Sequence, residues 1–159
     1  MNKKVFLAGV VGFVLGILVL GLVGFSTAPE MMIVENTSPL SYEETVQTIQ
    51  DAAVAEGWKI PAVHHIDESV AKAGYDVLPV SVIELCHPGH AAKVLQDDQA
   101  RVVTSMMPCR VSVYETSDGR VVISRMNTSL VSKFFGGTVT TVMAEATADT
   151  EKILSAVLQ

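Results

Sequence analysis

The stretch Cys109–Met126 reads CRVSVYETSDGRVVISRM. Two runs of β-forming residues, CRVSVYET and RVVISRM, flank Ser117-Asp118-Gly119. An Asp-Gly pair between two such runs marks the turn of a hairpin. A hairpin pairs its strands antiparallel, so the fold has an antiparallel component. Upstream, PVSVIELC (Pro79–Cys86) reads as the clearest buried strand. Val80, Val82 and Cys86 alternate with Ser81, Ile83 and Leu85, which makes both faces largely apolar. MMIVEN (Met31–Asn36) and WKIPAVHHI (Trp58–Ile66), the latter broken at Pro61, read as two more strands. The segment RVVTSMMP (Arg101–Pro108) crosses back to the hairpin.

Helical periodicity fills the gaps. Ser41 and Glu44 have the spacing of a capping box, in which each side chain satisfies a free backbone N–H at the helix start. Tyr42, Val46, Ile49 and Ala53 then recur every three or four residues and face the core. Gly57 suits the C-terminal cap. Short helices are predicted over ESVAKA, capped by Asp67, from Gly89 to Leu95, and over SLVSKFFGG (Ser129–Gly137). A last helix over Thr138–Gln159 buries Val139, Val142, Met143, Ala146, Ile153, Leu154 and Val157. The order of elements gives an α+β fold in two layers: a mostly antiparallel sheet with helices on one face.

One transmembrane helix precedes this domain. Val5–Phe25, VFLAGVVGFVLGILVLGLVGF, carries no charge. A helix needs about 20 apolar residues to cross the hydrocarbon layer. Lys3 and Lys4 come before it and the next basic residue is Lys59. That asymmetry places residues 1–4 in the cytoplasm and the rest across the membrane. The rival is a cleaved signal peptide, whose apolar core usually spans about 7–15 residues and ends at a small-residue cleavage site. Here the core is longer, and Pro29 after Ala28 opposes cleavage at that point. The reading is a signal anchor at 5–25 in contact with lipid, a tether at 26–30, and an extracytoplasmic (in a bacterium, periplasmic) domain at 31–159. The formal charge is −6, and −8 once Lys3 and Lys4 are set aside. An acidic domain argues against nucleic acid and against a polybasic lipid patch.

The candidate chemistry lies in ELCHPGH (Glu84–His90) together with Cys109 in MMPCR. Three readings compete. A Cys86–Cys109 disulfide would close a loop of about 24 residues and add on the order of 3 kcal/mol by chain entropy. Alternatively, Cys86, His87, His90 and Cys109 could ligate a transition metal, zinc or copper, since thiolate and imidazole suit both. The same residues could hold haem non-covalently, with Arg110 on a propionate. The chain has no C-x-x-C-H, so the usual covalent haem attachment is absent. Thirdly, Cys86 beside a histidine could be a nucleophile, but no orienting Asn or Asp stands at a telling spacing. A binding module with a redox or electron-transfer role leads, a structural domain with a disulfide follows, and an enzyme comes last.

ELCHPGHAAKVLQDD (Glu84–Asp98) and MPCRVSVYETSDGRVVISRMNTSL (Met107–Leu130) resemble the domain of unknown function 302 family. The shared features are a strand-borne Cys followed by Pro and Ala, a helix ending in Asp residues, a Pro-Cys-Arg strand start, and the Asp-Gly hairpin. The resemblance covers roughly Met31 to Gln159. It implies an α+β fold, often as a homodimer, and no settled activity. The histidines beside Cys86 are not part of the family pattern.

Overall fold

The computed structural model describes residues 3–158 and divides into an N-terminal helix and a domain that begins at Ile33. The helix, α1 (Lys3–Met32), holds 24 residues from Gly9 to Met32 that are long and apolar enough to cross a membrane. At about 1.5 Å per residue that is about 36 Å, against about 30 Å of hydrocarbon. Residues 26–30, expected as a tether, are helical, and Pro29 lies inside the helix. The Ser26 and Thr27 hydroxyls donate to the Val23 carbonyl at 2.9 and 3.0 Å. Polar side chains satisfied within the helix do not end it. Met31 and Met32, expected to open the first strand, close α1 instead. Met1 and Asn2 of the expected cytoplasmic segment, and Gln159, lie outside the described residues.

The domain runs β1 (Ile33–Thr37), α2 (Tyr42–Ala55), β2 (Val63–His65), α3 (Ile66–Ala71), β3 (Val80–Leu85) and α4 (Pro88–Leu95). A 3₁₀ turn (Ala100–Met106), β4 (Cys109–Glu115), β5 (Val121–Met126), α5 (Thr128–Ser132) and α6 (Gly137–Leu154) complete it. The five strands form one sheet in the order β1-β5-β4-β3-β2, with every neighbouring pair antiparallel. The fold is α+β, a five-stranded antiparallel sheet with helices.

The hairpin forms as its residues dictate. Glu115 pairs with Val121, and Gly119 turns the chain at φ 82°, a conformation that favours glycine. Asp118 accepts hydrogen bonds from the Thr116 hydroxyl and from Arg120 Nε, the latter at 2.8 Å. These contacts, the Thr116 bond foremost, pull its pKa from 3.8 down to about 2. A carboxyl whose pKa is depressed in the folded state adds stability above its unfolded pKa and loses it as pH falls through the folded one. The turn should therefore hold at pH 4 and weaken toward pH 2. A carboxyl NMR titration of Asp118 with its midpoint near 4 would refute this.

The capping box is present: the Glu44 N–H donates to Ser41 Oγ at 3.4 Å, and the Ser41 N–H to Glu44 Oε2 at 3.2 Å. Tyr42, Val46, Ile49 and Ala53 are buried against Ile83 and Leu85 of β3, Val111 and Val113 of β4, Ile123 of β5, and Ile153 and Leu154 of α6. So α2 and α6 cover one face of the sheet. A second apolar cluster joins Val94 of α4, Ala100 and Val103 of the 3₁₀ turn, and Val139, Val142 and Met143 of α6.

Four expectations change in detail. In β3 only one face is fully buried, with Ser81, Ile83 and Leu85 pointing inward. The Trp58–Ile66 strand shrinks to β2 because Pro61 has no N–H to give the ladder; a separate bridge joins Lys59 to Cys86. The short helix after it starts at Ile66 with His65 as N-cap, not Asp67. The helix expected over SLVSKFFGG stops at Ser132.

Candidate functional site

The ELCHPGH turn is built by three local features. Cys86 is held at the end of β3 by paired bonds to Lys59, N–H to carbonyl in each direction at 2.9 and 2.8 Å. Pro88 opens α4, where its missing N–H costs nothing. His87 caps that helix: its Nδ1 accepts from the His90 N–H at 3.3 Å. Gly89 makes room for this, since a Cβ there would sit 3.1 and 3.3 Å from the His87 ring.

Leu85 pairs with Cys109 across β3 and β4, which brings the two cysteines to the same place. Both are free thiols, so the disulfide of the structural reading is not formed. Cys86, His87, His90 and Cys109 all line one small pocket of about 30 Å³ with Trp58 and Met107. The Trp58, His87 and His90 rings are mutually stacked at tilted angles, with centroids 4.5 to 5.8 Å apart. The imidazoles are committed elsewhere. His87 spends Nδ1 on its cap. His90 Nε2 meets Asp149 Oδ2 of α6 at 2.8 Å, and its Nδ1 lies 3.5 Å from Glu145, which also binds Lys93 at 2.6 Å. Among the described residues, no group of three or more His, Cys, Asp or Glu side chains is arranged to hold a metal ion. Arg110 stands opposite Glu84, 3.6 Å from its carboxylate, in an ordinary cross-strand pair. Alternation puts it on the other face of β4 from Cys109.

Burial pushes the Cys109 thiol above its ordinary 9.0, and the neighbouring Cys86 adds to the shift. The folded state therefore holds this proton more tightly than the unfolded one, and stability falls as pH rises past about 9. At neutral pH the group stays a thiol, which is unreactive. Iodoacetamide should modify Cys109 far more slowly in the folded chain than in urea, as read by peptide mapping. Equal rates at pH 7 would contradict the assignment.

A larger cavity, about 360 Å³, opens where β5 leaves the sheet. The β4–β5 register ends at Val111 and Arg125, so Cys109 and Arg110 have no β5 partner. Hydroxyls line the gap from two strands and two helices: Ser112, Ser124, Thr128, Thr147 and Thr150. Arg110, Arg125 and Glu151 supply charge, and Met106 and Cys109 supply sulfur. Arg125 is buried, with its side chain 7% exposed. Its fork donates to both Glu151 oxygens at 2.7 and 2.6 Å and to Asn36 Oδ1 at 2.7 Å. The Thr128 and Thr147 hydroxyls meet at 2.8 Å. Cys109 lines both this cavity and the thiol–imidazole pocket.

Apart from Cys109 and Arg110, the sequence reading did not single out this second group. One signal for it existed. Arg125 shares the inward face of β5 with Val121 and Ile123, and a charge at a core position has a partner and a reason.

A comparison with curated proteins gave no match. Among solved structures, the chain is similar to the crystal structure of an uncharacterized conserved protein DUF302 from Bacillus stearothermophilus. The two are 19% identical with a TM-score of 0.72, over 80% of this chain and 98% of that one. At that identity the likeness speaks for the fold. The family described as Domain of unknown function DUF302 matches residues 34–157, nearly everything after α1, and the chain belongs to that family.

Proposed function

We propose that this chain is a single-pass membrane protein whose DUF302 domain, on the periplasmic side, binds a small polar molecule. One observation carries the reading: the cavity of about 360 Å³ at the end of the β4–β5 pairing, lined by hydroxyls and by the Arg125–Glu151 pair. Ligand pockets start at about 300 Å³, so the space suits a metabolite-sized guest. The hydroxyls offer donors and acceptors, and Arg110 offers a half-exposed cation at the rim. Lys3 and Lys4 ahead of the apolar helix, with Lys59 the next basic residue, support a cytoplasmic N-terminus. The homodimer that the family resemblance implies belongs to the same proposal.

Haem does not fit the pocket at Cys86, His87, His90 and Cys109. Its volume of about 30 Å³ has room for only a few water molecules. A single copper or zinc ion on the Cys86 and Cys109 thiols is the second reading, favoured by the closeness of those two groups and the soft Met107 beside them.

The test is to purify the full chain in detergent, without reductant or chelator, and to analyse what denaturation releases. The expected result is a featureless visible spectrum and a released organic molecule, lost in Thr147→Phe, which puts a ring on the Arg125–Glu151 side of the cavity. A Soret band, or a copper–thiolate band or equimolar zinc, would overturn the small-molecule reading for haem or metal. Release of nothing would overturn it outright.

A further inference from the structure

The polar groups around the larger cavity fall into two sets. On the α6 side they are bound to one another. The Arg125 fork closes on Glu151 and Asn36. The Thr147 hydroxyl lies 2.7 Å from the Met143 carbonyl and 2.8 Å from the Thr128 hydroxyl. The Thr150 hydroxyl donates to the Ala146 carbonyl at 2.8 Å. These groups hold the wall and leave little for a guest.

The second set has no such partners. Arg110 and Ser112 stand two residues apart on one face of β4. Ser124 of β5 lies directly opposite Ser112 in the register. Directly opposed residues are close neighbours, and a long side chain reaches the diagonal position as well. All three residues line the cavity. Among the described residues, neither serine hydroxyl has a hydrogen-bond partner. Arg110 makes no hydrogen bond either: its Nε stands 3.6 Å from Glu84 Oε1, and that oxygen lies nearer His64 Nε2, at 3.2 Å.

Such a set asks for an acceptor with negative charge. A guanidinium only donates, and its planar fork matches the two oxygens of a carboxylate at once. The serine hydroxyls beside it can donate to the same oxygens. Among the lining residues, Arg110 and Arg125 are positive and Glu151 is negative, which leaves one positive charge to balance. A carboxylate balances it. A phosphate monoester, with a charge of about −1.5 to −2 at neutral pH, exceeds it and would also meet Glu84 beside Arg110. Other walls are apolar, from Ile33, Val82, Met106, Pro108 and Met126. They suit an apolar body behind the charged group.

We propose that Arg110, Ser112 and Ser124 form a carboxylate subsite, and that the guest of the cavity is a monocarboxylic acid with an apolar body. The acid end meets the Arg110 fork and the two hydroxyls, and the body lies against the apolar walls. This rests on the reading of the cavity as a binding site and names the chemistry of its guest.

The test uses benzoate and benzamide, which match in shape and differ in charge. Each is added at neutral pH to the dialysed full chain in detergent, and binding is read by calorimetry against chain-free micelles. Benzoate should bind at least about tenfold more tightly than benzamide, the low end for hydrogen bonds to a charged group. Arg110→Gln should bring the two probes level, and Ser112→Ala with Ser124→Ala should narrow the gap. Arg110 is half exposed, so Arg110→Gln should unfold in urea at the original midpoint. Arg110→Lys, which keeps the charge without the fork, should retain only part of the preference. Equal affinities in the unsubstituted chain, or a benzoate preference that survives Arg110→Gln, overturns the carboxylate subsite and leaves the cavity reading standing. Binding of neither probe overturns it too. The release experiment then decides the larger reading: a released molecule keeps it, and release of nothing sinks both.

Discussion

Replacing Glu151 with alanine should lower the stability of the domain by about 3 kcal/mol, the low end for breaking a buried ion pair. The reason lies with the partner that remains. The Arg125 side chain is 7% exposed, on the inward face of β5 among Val121 and Ile123. Without Glu151 its guanidinium keeps one bond, to Asn36. A charge taken out of water with most of its hydrogen bonds unmade costs far more than the pair contributes when whole. The low end applies because Glu151 is itself half exposed, so water can reach the vacated side. Glu151→Gln keeps one acceptor and should lose less. The double change Arg125→Met, Glu151→Leu removes both charges and should recover most of the loss. Urea unfolding of the four proteins decides. A Glu151→Ala loss under about 1 kcal/mol, or no recovery in the double variant, would show that the fork is not what holds this wall of the cavity.

How much of this was legible depends on how local the cause is. The capping box at Ser41 and Glu44, the α2 stripe and the Asp-Gly hairpin were all readable, because each is set by residues a few positions apart. The α1 boundary was misread for the same reason in reverse. Small residues and Pro29 look like a tether, yet Ser26 and Thr27 bond back onto the helix they were expected to end. The meeting of Cys86 and Cys109 needs the β3–β4 register, in which Leu85 faces Cys109, and these strands are joined through α4 and the 3₁₀ turn rather than by a tight turn that would fix it. Grouping Cys86, His87, His90 and Cys109 placed four residues that do line one pocket. What it missed is where the imidazoles point: His90 turns to Asp149 on α6, 59 residues away in sequence. The larger cavity was hidden most completely, because it is a space left by β5 departing from β4. Only Arg125, a charge at an inward position of an apolar strand, pointed to it.

Removing residues 1–30 should move the protein from the membrane fraction to the soluble fraction while leaving the domain folded. Both apolar clusters are built from residues beyond position 39, so the core does not draw on α1. The sheet starts at Ile33, and its five strands are complete without the deleted segment. A domain of about 130 residues buries enough surface to fold alone. The apolar helix is a different matter. About 20 apolar residues in a helix hold a chain in lipid against extraction, and among the described residues no other helix is long and apolar enough to span. The full chain should therefore resist a carbonate wash and the shortened one should need no detergent. The two should unfold in urea at the same midpoint, since deleting a segment outside the core changes neither the buried area nor the slope that depends on it. A shortened chain that unfolds earlier would place part of the domain's stability in α1. One that folds but stays with the membranes would show that the domain has a membrane contact of its own, independent of α1.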